Sequence, residues 1–358
     1  MGVSFVDCGA DLLPSLRAFL ARVYRPDYVL RVNEPLFRWQ FGEAPAGEGN
    51  SYRLRLALLD GEIAGCLGYV PVEVSLGERV VRGAWTANWV VDPGWHRLGV
   101  GVSLMRELTR RFDITLAVGL SQDSRSLLPR MGWDDFGELA RYVCVLDVRG
   151  ARALTETGGL EWPAGAPLKG WGPPEGVSVK PVERFSGEAT QLWDKTWGAS
   201  AAGTRRSAEF LNWRYTRHPV FSYRLFEARR GGRLVGLAAY RVEQVRDAQV
   251  RVGRIVELVS EAGLESRLLK AVIDDARLQE VAALDFFCSS RRFSAVMGRC
   301  GFLPGGDGAA AQIPALFQPI DRRRTAIPFM AYLRNLPDAA GAYDWYVTKG
   351  DGDQDRPN

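Results

Sequence analysis

The chain has 358 residues, 46% of them hydrophobic and 25% charged, and its 46 Lys plus Arg against 42 Asp plus Glu leave a net charge of +4. That is the balance of a soluble globular protein, long enough for two domains and for a core that needs no disulfide or metal. It excludes an electrostatic nucleic-acid binder, because no basic stripe or tail exists, and the only two histidines, His96 and His218, exclude a histidine-rich metal site.

Along the chain, the first feature is the absence of a basic start and apolar run. Asp7 and Asp11 stand there instead, and no stretch of 18 apolar residues follows anywhere, so the expectation is a cytoplasmic protein without membrane insertion. The five cysteines contain no CxxC pair and read as reduced thiols. Segment 11–24 spaces Leu12, Leu16, Phe19, Leu20 and Val23 as a helix does. Segments 52–59 and 63–74 alternate on either side of Asp60-Gly61, a hairpin signal. A strand is expected over 84–92, a helix over 99–112, a strand over 114–120, a helix near 124–131 and a strand near 140–147.

Between Arg149 and Gly176 glycine and proline are dense enough to deny helix and central strand, so this segment reads as a linker or a long ordered connection. It divides the chain into 1–148, a linker 149–176, a second domain 177–330 and a tail 331–358. The two parts look like copies of one unit. Phe37-Arg38-Trp39-Gln40-Phe41 is echoed by Leu211-Asn212-Trp213-Arg214-Tyr215, Asp60-Gly61 by Gly231-Gly232, and Gly132-Trp133 by Gly301-Phe302, at offsets of 174, 171 and 169 residues.

The chemistry lies in Val90-Val91-Asp92-Pro93-Gly94-Trp95-His96-Arg97-Leu98-Gly99-Val100-Gly101-Val102. A strand ends, a loop with glycines follows, and a helix begins. Glycine lets a backbone approach a ligand closely, and unpaired amides at a helix start favour negative charge. This is a cradle for a pyrophosphate. It is neither a Walker A loop, lacking Gly-Lys-Ser/Thr, nor the dinucleotide fingerprint, lacking the third glycine and the ribose acid.

The stretch resembles motif A of the GNAT acetyltransferase superfamily, with His96, Gly99 and Gly101 on its three defining positions and Gly132-Trp133 similar to the Gly-Phe that closes the next helix. The resemblance implies an α/β (α+β) fold of two tandem GNAT-like domains, each a mixed central sheet flanked by helices. It also implies acetyl-CoA as co-substrate, with the pyrophosphate on Arg97, Leu98, Gly99, Val100, Gly101 and Val102. His96 and Ser121 would lie beside it, and the pantetheine along Trp89, Val90 and Val91. The chain departs from the family where His96 replaces Gln or Arg, where Leu128 stands in place of a frequent Tyr, and where Ser121 and Ser124 replace Asn and Ala. The second copy has Ser260-Glu261-Ala262-Gly263 after its strand, a poor pyrophosphate site.

Substrate contacts are expected from Trp39, Asn88, Asp353 and Asp355. Trp39 reads alternatively as core, and the Asp-rich tail alternatively as a disordered end. Glu257, mid-strand in the second copy, is the candidate general base, with a salt-bridged strand residue as the plain alternative. Arg322-Arg323-Arg324 reads as a solvated run or a contact for a carrier phosphate. The tail bears a further resemblance, with the segment around Pro35–Phe41, to bacterial GNAT proteins of surface-polysaccharide assembly. This implies N-acetylation of a small primary amine, most simply an amino sugar on a nucleotide or lipid carrier. Aminoacyl transfer of the Fem type and non-catalytic acyl-CoA binding are the alternatives.

Overall fold

The computed structural model describes residues 2–47, 49, 51–156, 158–162, 176–198, 200–306, 308–317, 320–321, 327–336 and 339–357. Residues 163–175 of the Gly/Pro-rich segment and the run Arg322-Arg323-Arg324 lie outside them.

Strand β1 (Val3–Cys8) pairs antiparallel with β2 (Tyr52–Leu59), which turns at Asp60 and Gly61 into β3 (Glu62–Leu76). Both turn residues have positive φ, 49° and 86°, the geometry that a two-residue hairpin demands. β3 pairs antiparallel with β4 (Arg79–Val91), and β4 runs parallel to β5 (Ile114–Val118) only through Gly83, Ala84 and Trp85. Beyond Trp85 the two strands part. There Asn88 adopts a left-handed conformation, φ 53°, and β4 slips register against β3 between Cys66 and Gly68, a bulge that turns the strand aside. The crossover between β4 and β5 is the helix Val100–Thr109, which buries Val100, Leu104, Met105 and Leu108 in a cluster with Leu67, Ala84 and Ala117. Helix Gln122–Leu127, the turn Leu128–Met131, β6 (Asp134–Glu138) and β7 (Ala140–Val145) follow.

The second half supplies β8 (Val177–Val182), β9 (Ala201–Thr204), β10 (Tyr223–Arg230), β11 (Arg233–Val245), β12 (Val250–Ser260), β13 (Val281–Cys288) and β14 (Leu303–Pro304). A short hairpin of β15 (Leu316–Phe317) and β16 (Ile320–Asp321), then β17 (Pro328–Leu333) and β18 (Asp344–Trp345), complete the chain. The first sheet has the order β1-β2-β3-β4-β5-β17-β6, and the second β8-β10-β11-β12-β13-β7-β14. Along these two orders directions agree position by position, antiparallel except at β4/β5 and β12/β13, and β9 and β18, which pair parallel with each other, also join the first sheet.

Each sheet therefore holds a strand from the other half of the sequence. β7 pairs with β13 from Ala140↔Cys288 to Val145↔Ala283, and β17 pairs with β5 from Phe329↔Val118 to Leu333↔Ile114. Sheet membership departs at these strands from the divisions drawn at 148 and 330. β9, from the second half, also pairs with the end of β3. Residues 148–160 begin with a helix, Val148–Arg152, and bury Ala151, Leu154 and Leu160 against Val143, Val245 and Val252.

Trp39 and Trp213 meet where the halves join. Their rings stack at 4.6 Å, and each indole N–H donates to the other's backbone carbonyl, at 3.0 and 3.3 Å. His218 packs on Trp39, and its Nδ1 accepts from the amides of Val220 and Phe221. Burial, reinforced by Arg214, pushes its pKa down to about 3. The unfolded chain binds this proton near pH 6.5 and the native chain does not, so stability falls as pH drops from 6.5 toward 3. By pH 4 His218 should account for a loss on the order of 3 kcal/mol. His218→Asn, which keeps an acceptor but cannot titrate, should show that much less acid destabilisation in urea titrations at pH 7 and pH 4.

Candidate active site

A cavity of about 500 Å³ opens where β4 and β5 separate. Thr86, Ala87, Asn88 and Trp89 line one wall, Val118, Gly119, Leu120, Ser121 and Ser124 the other. The tail closes it with Lys349, Asp353, Gln354 and Arg356. Asn88 is buried, and its Oδ1 accepts from the Tyr28 hydroxyl at 2.5 Å and from Arg356 at 3.3 Å, while its Nδ2 has no partner among the described residues. Ser121 caps the helix Gln122–Leu127 through the Ser124 amide, and its hydroxyl lies 3.0 Å from that of Ser124.

The glycine loop sits just past the end of β4. Gly99 is left-handed, φ 66°, and opens the helix Val100–Thr109, whose first amides have no partner within the helix. Asp92 caps the Gly94 amide, and the exposed His96 ring returns to the Val91 carbonyl at 2.9 Å, so its ring braces the loop. The Trp89 indole donates to the Gly101 carbonyl at 3.2 Å and so ties the cavity wall to the helix start. A side chain at Gly101 would begin 3.3–3.4 Å from Val91 and Trp89, and this is where the missing side chain matters. Leu128 is fully buried with Leu104, Met105 and Trp133, so that position offers the cavity no proton donor.

In the second sheet the corresponding opening is filled. β12 and β13 pair from Arg251 to Ile255, and beyond it the tail occupies the gap. The Thr348 hydroxyl donates to the Val256 carbonyl at 2.7 Å, Thr348 bridges to Cys288, and the Leu258 amide donates to the Tyr346 hydroxyl. Tail residues 345–351 are buried, which decides the two alternatives for this segment in favour of an ordered one.

Glu257 belongs to that plug. It is fully buried, ion-paired with Arg206 at 3.0 Å, and accepts from the hydroxyls of Tyr215 and Tyr346. Burial pushes its pKa up, Arg206 opposes this, and it lines neither described cavity. Its plain alternative, a paired strand residue, is what the geometry presents. Trp39 likewise lies in the core, 2% exposed, and not at a cavity. Asn88, Trp89, Ser121 and Asp353 are brought together on the first cavity. Asp355 lines a second one of about 530 Å³, enclosed by Phe221, Arg241, Glu243, Arg246, Arg254 and the tail.

Lys349, Gln354 and Arg356 line both cavities and went unread in the sequence. The available signal was compositional: only five of the 46 basic residues are lysine, and one of them follows the aromatic run Trp345-Tyr346-Val347-Thr348. Lys349 is buried, with its Nζ 4.6 Å over the Phe287 ring. Burial and the nearby Arg254 and Arg141 lower its pKa to about 7, against Asp285 and Asp355.

Residues 15–132 match the acetyltransferase (GNAT) family model. Similar solved structures include a GCN5-related N-acetyltransferase from Anabaena variabilis (13% identity, TM-score 0.59, covering 96% of this chain and 75% of that one). A probable N-acyltransferase from Enterococcus faecalis has 11% identity, TM-score 0.61 and coverage of 93% and 72%. The Saccharomyces cerevisiae N-myristoyltransferase with bound myristoyl-CoA has 10% identity, TM-score 0.55 and coverage of 92% and 82%. No curated protein matches by sequence. The fold is the one shared by these structures, and the matched residues 15–132 contain β4, β5 and the glycine loop beside the cavity, which supports an acyltransferase. Among the described residues no helix is long and apolar enough to cross a membrane.

Proposed function

We propose that the chain transfers the acetyl group of acetyl-CoA to the primary amine of a small molecule, and that an amino sugar carried on a nucleotide or lipid for surface-polysaccharide synthesis is that acceptor. The observation that carries this reading is the contrast between the two sheets. At the β4/β5 opening a cavity of about 500 Å³ remains beside a glycine loop and a ten-residue helix, with the Gln354 amide donating to the Val118 carbonyl at its side, while the β12/β13 opening is filled by the tail. We read the halves as copies of one unit, of which only the first retains a cofactor slot.

Arg97 to Val102 would hold the pyrophosphate through their amides, and Trp89 to Val91 the pantetheine through strand backbone. The co-substrate supplies an activated thioester carbonyl. The protein's part is to bring an uncharged amine against it and to polarise its oxygen with fixed donors; Asn88, whose Nδ2 has no partner among the described residues, stands on that wall. The amine nitrogen bonds to the carbonyl carbon, the carbon–sulfur bond breaks, and the proton that the nitrogen loses passes through solvent to the departing thiolate, whose pKa lies near 8.5. The Ser121 and Ser124 hydroxyls and the Lys349 side chain are proton-bearing groups among the lining residues.

Acetyl-CoA at about 100 times its Kd should stabilise the native chain by roughly 2.7 kcal/mol. Denaturant midpoints with and without the ligand measure this. No shift in a well-folded protein would remove the acetyl-CoA reading.

A further inference from the structure

We propose that the second cavity binds an acidic group of the acceptor, a phosphate or a carboxylate, and that Lys349 is its buried counter-charge. The inference rests on the amine-acceptor reading above and names the chemistry of the part of the acceptor that does not react. Five cations line this cavity, Arg241, Arg246, Arg254, Lys349 and Arg356, against two carboxylates, Glu243 and Asp355. Both carboxylates are already committed. Glu243 accepts from Arg241 and Arg254, and Asp355 accepts from Arg241 and from the Tyr223 hydroxyl.

The other buried cations nearby have their own partners. Arg206 holds Glu257 and Asp351, Arg254 holds Glu243 and Asp285, and Arg141 holds Asp285. Lys349 is 4% exposed and makes no hydrogen bond or ion pair among the described residues. The guanidinium of Arg246, exposed at the rim, makes none either among the described residues. A buried ammonium without a partner is costly to keep, and an oxyanion in the cavity would supply the missing partner. Lys349 lines the first cavity as well, so an anion seated against it lies next to the place where the amine must react.

The test is calorimetric titration of the whole protein at pH 6, where Lys349 carries its charge, with inorganic phosphate and, separately, succinate. Saturating CoA is present so that the glycine loop is occupied. One or both anions should bind, more weakly as salt rises, and the preferred one identifies the acidic group. Lys349→Met should weaken binding at least tenfold while raising the thermal midpoint, since it removes an unpaired buried charge. Arg246→Ala, on the exposed rim and harmless to folding, should weaken it about threefold. Failure of both anions to bind the wild type, or unchanged affinity in both variants, overturns the proposal. A chain that takes phosphate or succinate but no CoA would instead overturn the acetyl-CoA reading and leave the anion site standing.

Discussion

Arg206→Met is expected to destabilise the protein by about 3–5 kcal/mol, the cost of leaving buried carboxylates without their cation. The Arg206 guanidinium is 1% exposed and donates to Glu257 at 3.0 Å and to Asp351 at 2.6 Å. It also lies 4.7 Å over the Tyr346 ring and 5.4 Å over that of Trp193. It therefore joins β12 to the tail, and its loss sets two carboxylates together in the interior. Glu257, whose pKa burial already raises, would then take up a proton, so the defect should shrink as pH falls from 7 toward 5. Urea titration at those two pH values checks it. Arg206→Met combined with Glu257→Gln and Asp351→Asn should recover most of the loss. A single-variant loss under 1 kcal/mol would mean the network contributes little. Glu257→Gln alone, folded and stable, should leave acetyl-CoA binding unchanged.

Gly101→Glu should weaken acetyl-CoA binding on the order of 100-fold, about 2.7 kcal/mol. The new carboxylate would stand among amides that need an anion and would repel the pyrophosphate. The fold should survive, because an acidic group near a helix N-terminus is favourable and the neighbours, Val91 Cγ2 and Trp89 Nε1, need yield only slightly. Gly101→Ala, with the same backbone demand and no charge, should lose less than tenfold. Fluorescence titration of Trp89 and its neighbours with acetyl-CoA would separate the two variants. Equal losses in both would assign the effect to crowding, and no loss in either would place the cofactor elsewhere.

Local signals in the sequence translated into local structure. Asp60-Gly61 became a turn, the Gly99 loop became a helix start, and the matched tryptophans at 39 and 213 came together. What the sequence concealed was partner choice. The alternation of Arg141, Val143 and Val145 announces a strand but not the sheet it enters, since hydrogen bonding between strands is indifferent to which segment supplies the edge. Glu257 drew notice as a carboxylate within an apolar strand, yet only the fold brings Arg206, 51 residues earlier, to neutralise it. The tail was the hardest part to read. Lys349, Asp351 and Asp355 are residues that normally stay in water; the burial of the two carboxylates depends on Arg206, Arg241 and Tyr223, and Lys349 lies over the Phe287 ring, all from distant segments.

The exchange of β7 and β17 bears on how the protein is made. As the chain leaves the ribosome, β5 is complete by residue 118, but the strand that covers its edge ends at Leu333. For more than 200 residues of translation the first sheet has an open edge of five buried-type residues, Ile114 to Val118, in the company of nascent chains that carry the same edge. A protein expressed as residues 1–148 would keep that edge permanently and would also carry β7 without its place beside β13. Soluble yield of such a fragment should be poor, and co-expression with residues 149–358 should restore it.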